Sequence, residues 1–190
     1  MPSPRYWLMK SEPTAFSFDD LVQSKNSTNH WDGVRNYQAR NFMREMRVGD
    51  KVLFYHSNCD PTAVVGLAEV VREAYPDHTQ FDRKNIHYDP QATPGKPIWD
   101  MVDLRAIKPL RKPVTLGTLH KTKGLEKMPL LRRANRLSVM PVTAKEWEVI
   151  VKLGGKGRPC VAARQPVGTH AGVPLQKSIF GVADGEDHVG

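Results

Sequence analysis

Apolar residues in this chain recur mostly at every second position in short runs, and at helical spacing in only a few places. Tyr6–Lys10 (YWLMK) is aromatic and apolar and predicts a buried strand, ended near Pro13, which has no N–H to offer a neighbour. Lys51–His56 alternates, with Val52, Phe54 and His56 on one side and Leu53 and Tyr55 on the other, and predicts a second strand. The valine-rich run Ala63–Ala74 predicts a long third strand bent near Gly66, Trp99–Ile107 a fourth and Arg136–Met140 a last. Helical spacing places Ala39, Phe42, Met43 and Met46 on one face of a helix over 36–47, with Asn36 as its N-cap. Ser17 caps a short helix whose first turn holds Asp19 and Asp20, and Thr115–Lys123 predicts another. Thr143 and Glu146 form a capping box before the stripe Trp147, Ile150, Val151. Lys25–Asn29 and the proline-rich stretch 75–98 read as loops.

Strands dominate, and regular β–α alternation is missing. The pattern therefore predicts an α+β fold, a small and mostly antiparallel β-barrel flanked by short helices, rather than a doubly wound sheet. From Gly154 onward glycines and prolines break all periodicity, which predicts one domain over 1–153 and a flexible tail over 154–190. The 190 residues suffice for one sizeable core. There is no run of 18 apolar residues and no signal-peptide core, so an intracellular protein is expected, cytoplasmic if bacterial and nuclear if eukaryotic. Cys59 and Cys160 stand far apart in unlike contexts, so neither a disulfide framework nor a metal site is expected, and no cofactor.

Charge changes the picture more. The formal net charge is +8, and because the tail contributes only +1 the excess lies on the folded part. A basic surface favours polyanions, nucleic acid first among them. The stretch His30–Arg40 (HWDGVRNYQAR) sets Trp31 beside an Asp32-Gly33 turn and follows it with Arg35, Asn36, Gln38 and Arg40. An indole next to hydrogen-bonding groups suits a flat ligand with polar edges, such as a nucleobase. The dull alternative for Trp31 is a place in the core, and for the arginines a solvated helix face. His56, Ser57, Cys59 and Asp60 crowd one strand end, as a hydrolase would arrange them. The G-x-S-x-G elbow and the zinc-deaminase signature are both missing, however, so no enzyme is expected. A small-molecule or nucleoside sensor stays as the alternative use of the same pocket.

Six ordered segments together resemble the EVE domain family: YWLMKSEP, WDGVRNYQARNFM, VGDKVLFYHSN, VVGLAEVVREAYPDHTQFD, WDMVDLR and RLSVMPVT, spanning roughly 5–153. That resemblance implies a fold of the PUA-like superfamily, which includes the YTH and SRA domains. It also implies a non-catalytic reader of a modified base, a modified cytosine being favoured, in DNA or RNA. The base would be flipped out of its strand into an aromatic pocket. By the same resemblance Lys10 and Ser11 would line that pocket, Trp31 would stack on the base and Asn36 would read its edge. Tyr55, His56 and Ser57 would form the opposite wall. Arg35, Arg40 and Arg44 would hold the phosphate backbone, with Trp7 and Gln38 as weaker support.

Overall fold

The computed structural model describes residues 3–133 and 135–155. The first strand, β1 (Tyr6–Ser11), leads through α1 (Phe18–Gln23) to β2 (Thr28–Trp31), α2 (Tyr37–Glu45) and β3 (Lys51–His56). The long strands β4 (Ala63–Pro76) and β5 (Asp100–Thr115) follow, then α3 (Leu116–His120), β6 (Val139–Val142) and α4 (Ala144–Gly155). Helix starts follow the sequence closely. Ser17 and Asp20 form a reciprocal capping box on α1, Asn36 Oδ1 accepts from the Gln38 and Ala39 N–H groups, and Thr143 with Glu146 does the same for α4.

The six strands form one sheet in the order β2-β5-β4-β3-β1-β6. Its pairs are antiparallel except β1 with β3, which run parallel from Tyr6 beside Lys51 to Ser11 beside His56. A parallel pair needs a crossover, and here it carries α1, β2 and α2. One expectation needs correcting: the sheet curls but does not close, and β2 and β6 remain its two edges. Ala39 and Met43 of α2 are buried in the same cluster as Trp31 of β2, Val102 and Leu104 of β5 and Val139 of β6. The helix packs against β6, β5 and β4, on the same side of the open sheet as that cluster.

Strand alternation divides the interior in two. Trp7, Met9, Val52 and Phe54 point into the curl with α1 and α2. Leu8, Leu53, Tyr55, Val64 and Met140 point the other way and are covered by α3, α4 and the turn at Pro129–Leu131. The expected bend near Gly66 is present as register shifts on both sides of that residue, and the ring of Phe18 lies where its side chain would project. One further boundary differs from expectation: β5 runs on to Thr115 through Pro109 and Pro113, with Pro109 opposite Gly66 at the irregular register. α4 extends to Gly155, and Leu110 packs against Gly154 where a Cβ would find no room. From 156 on, the expected tail lies outside the described residues.

Candidate nucleic-acid interface

The turn after Trp31 is built around a close approach. Gly33 has φ +75°, a conformation costly for other residues, and a Cβ there would lie 2.6 Å from His87 Nε2. Its N–H donates to Asp77 Oδ2 at 2.9 Å. Arg35 then straps the segment to the loop running from Asp77 to Trp99. Its Nη1 donates to Asp77 Oδ2 at 2.7 Å, its Nη2 to Thr79 Oγ1 at 2.8 Å and its Nε to the His87 carbonyl at 2.8 Å. Asp77 is wholly buried, and its Oδ1 accepts from both the N–H and the hydroxyl of Thr79. Burial opposes ionisation of this carboxyl, yet the bonds from Arg35 and Thr79 outweigh it and hold the group below the usual carboxylate range. Buried Gln80 completes the loop, donating to the Asp77 and Trp99 carbonyls and accepting from the Ile98 and Trp99 N–H groups.

The residues expected to form one pocket fall on two faces. Ser11, Trp31 and His56 belong to the curled interior, whereas Lys10 and Tyr55 are register partners pointing to the other side. Ser11 is buried and its hydroxyl donates to the Phe16 carbonyl; His56 Nε2 accepts the Phe18 N–H at 3.1 Å. Burial lowers the His56 pKa, and with Nε2 committed to a backbone donor this ring is poorly placed to activate Ser57 or Cys59. Ser57 takes part through its backbone, donating to the Ser11 carbonyl at 2.9 Å. Lys10 reaches the Asn135 carbonyl at 3.2 Å, and burial lowers its pKa. Tyr55 is almost entirely buried, which pushes its phenol up.

Trp31 departs from expectation. An indole open to a flat ligand was expected, but pairing opposite buried Val102 turns the ring inward, and it is 1% exposed. It meets Phe54 edge-on at 5.3 Å and Phe16 at 6.4 Å between ring centroids. Its Nε1 is buried and has no hydrogen-bond partner among the described residues, as is also true of His87 Nε2. Trp7 is likewise a core residue, its indole N–H bound to Asp50 Oδ2 at 2.9 Å.

The basic rim differs from expectation as well. Arg35, expected on the phosphate-facing surface, is committed to Asp77, and Arg44 pairs with Asp100. Arg40 has no carboxylate partner among the described residues, and partial burial, then the charge of Arg44, lowers its pKa. Asn36 and Gln38 are exposed at the start of α2, Asn36 with its oxygen occupied in capping. Sequence reasoning missed Tyr37. It lies off the apolar stripe of α2, is 57% exposed and stacks on buried Trp99 at 4.8 Å. The only hint was an aromatic at the first helical position outside the buried stripe.

A second polar group sits just before the turn. His30, Asp32 and His78 offer ligand atoms that all lie within 4.8 Å of one another, a donor set suited to a divalent cation, though none was expected from the sequence. As it stands, His30 Nε2 lies 3.3 Å from Asp32 Oδ2, and the bond to Asp32 raises the imidazole's pKa. Among the described residues no helix is long and apolar enough to cross a membrane.

Comparison with known proteins agrees with this architecture. The family model described as the EVE domain matches residues 5–153. Thymocyte nuclear protein 1 of Danio rerio is 47% identical over 169 residues, which cover 80% of this chain and 73% of the relative. A solved structure of a hypothetical protein from Leishmania major has a TM-score of 0.76 at 49% identity, covering 80% of this chain and 95% of that one. Human THYN1, solved in complex with DNA containing 5-methylcytosine, has a TM-score of 0.75 at 42% identity, covering 80% of this chain and 99% of that one. This chain belongs to the EVE domain family.

Proposed function

We propose that this domain binds DNA carrying a modified cytosine and holds that base, turned out of its strand, without altering it chemically. The observation that carries the proposal is the indole N–H of Trp31, buried without an acceptor among the described residues, inside the curl where Ser11 and His56 also point. A buried unpaired donor costs about 1–3 kcal/mol, and an oxygen or ring nitrogen of a bound base would recover that cost. Phe16, on the short loop joining β1 to α1, packs against the indole and would have to give way to admit a base. Stacking returns roughly 1–3 kcal/mol per base, comparable with the few kcal/mol needed to turn the base out of its stack. Ser57 at the end of β3 and Asn36 at the start of α2 then border the entry, while Lys10 and Tyr55 face the other side of the sheet. The net charge of +8 supports a polyanionic partner, and the relative solved with 5-methylcytosine DNA supports the ligand class.

Binding of short DNA and RNA oligonucleotides, plain or carrying methyl- or hydroxymethyl-cytosine, at two salt concentrations, tests this. Selective and salt-sensitive binding is expected, with the selectivity lost in a folded Trp31→Phe variant, which keeps an aromatic ring but lacks the N–H. A folded variant with full selectivity would remove Trp31 from the role. Binding of the free nucleoside with no dependence on salt or strand would replace the reader with a small-molecule sensor.

A further inference from the structure

We propose that the exposed ring of Tyr37, with Arg40 beside it, is the seat of a nucleotide adjacent to the read base in the same strand: the neighbouring base stacks on Tyr37 and its phosphate meets Arg40. The inference rests on the nucleic-acid reading above and adds to it a second contact outside the curl.

Three features set this surface apart from an ordinary helix face. First, the platform is rigid. Tyr37 begins α2 directly after its N-cap and lies on Trp99 with the rings tilted by 33°. Trp99 is 5% exposed and fixed in turn, its indole donating to Asp89 at 2.7 Å. Second, a cation is held over the ring. The Arg40 guanidinium lies 4.9 Å from the Tyr37 centroid and 5.8 Å from that of Trp99, and its Nη1 donates to the Ile98 carbonyl at 2.9 Å. Third, that charge is not balanced by an acidic side chain within ion-pair distance among the described residues, while the neighbouring Arg35 and Arg44 each have one. An exposed aromatic ring and a guanidinium with no carboxylate at ion-pair distance match the two halves of a nucleotide, one flat and one anionic. A fixed ring also loses little conformational freedom when a base settles on it. Tyr37 lies four residues beyond Gly33, on the segment that Arg35 straps down, so its position is tied to that of Trp31.

The test uses single-stranded DNA with one 5-methylcytosine or, in its place, plain cytosine, flanked either by ordinary nucleotides or by abasic ones, bound to the wild type, Tyr37→Leu, Tyr37→Phe and Arg40→Gln. Leucine keeps Trp99 covered while removing the aromatic face. Tyr37→Leu is expected to weaken binding of the flanked strand roughly tenfold and to leave the abasic-flanked strand unchanged, with Tyr37→Phe close to wild type. Arg40→Gln is expected to reduce the slope of log affinity against log salt by about one. Wild-type affinity retained by Tyr37→Leu on the flanked strand overturns the platform, and so does an equal loss on both strands, which would place Tyr37 in the base site itself. If the wild type shows no preference for the modified strand, the base-reading proposal fails first and this one with it. Selective wild-type binding alongside an indifferent Tyr37→Leu sinks the platform alone.

Discussion

Replacing Asp77 with alanine probes the strap that positions the whole interface. The change removes the acceptor for four donors: Gly33 N, Arg35 Nη1, Thr79 N and Thr79 Oγ1, at 2.9, 2.7, 2.8 and 2.6 Å. It also leaves the Arg35 guanidinium, 19% exposed, without its counter-charge. Breaking a buried ion pair by deleting one partner costs about 3–5 kcal/mol. That is a large share of the total of roughly 5–15 kcal/mol expected for a domain. With a urea dependence near 2 kcal/mol per molar, the unfolding midpoint should fall by roughly 2 M. The double variant Arg35→Met/Asp77→Ala removes the stranded charge and should be more stable than Asp77→Ala alone, a coupling that a double-mutant cycle measures. Since the carboxyl is held below its unfolded value, its contribution is present above an unfolded pKa of about 3.9 and lost as pH falls through the folded value. Asp77→Asn should therefore flatten the acid side of the stability curve. A midpoint shift under about 0.5 M, or strict additivity in the cycle, would refute the view that this pair is a buried, coupled anchor.

Three further outcomes are expected. His30 should titrate above an ordinary histidine in an NMR pH series, because its bond to Asp32 and the nearby charges of Asp32, Asp103 and Asp77 outweigh partial desolvation. Its stabilising contact is then complete at acid pH and lost as pH rises through the folded pKa, and Asp32→Asn should bring the value down. Gly66→Ala would set a Cβ 2.4 Å from the Phe18 ring, and overpacking of that kind should cost about 1–3 kcal/mol in chemical denaturation. Gln80→Ala strips four hydrogen bonds, three of them buried, from the 77–99 loop; faster amide exchange at Ile98 and Trp99 is expected, and unchanged protection would count against the loop's dependence on it.

Much of the fold was legible because it is written in local chemistry. The caps at Ser17, Asn36 and Thr143, the alternation in β3 and the bend at Gly66 depend on neighbours a few residues away. β2 was missed because Thr-Asn-His-Trp is four residues long and mostly polar, as a sheet edge can be. The far half of β5 was hidden by two prolines, which the irregular register accommodates. The open seam was not legible because closure depends on how the two end strands meet, not on either strand's own pattern. At the site, period-two alternation alone should have separated Lys10 from Ser11 and Tyr55 from His56; grouping them by motif overlooked it. The Arg35 partners lie 42 to 52 residues away, beyond the reach of any local signal.

The open seam has a mechanical consequence. In a sealed barrel, interior volume is fixed by a ring of hydrogen bonds, and widening it means breaking a ladder. Here, among the described residues, β2 and β6 pair only inward, to β5 and β1, and α2 packs on β6, β5 and β4 through side chains such as Ala39 and Met43. Contacts of that kind are short-ranged and without direction, so the gap can widen by a sliding of the helix rather than by the loss of strand pairing. The helix works as a clasp on the cluster that also holds Trp31, whose Nε1 is buried without a partner among the described residues. Enlarging Ala39 would therefore prise the edges apart and loosen the interior while leaving every strand pair intact.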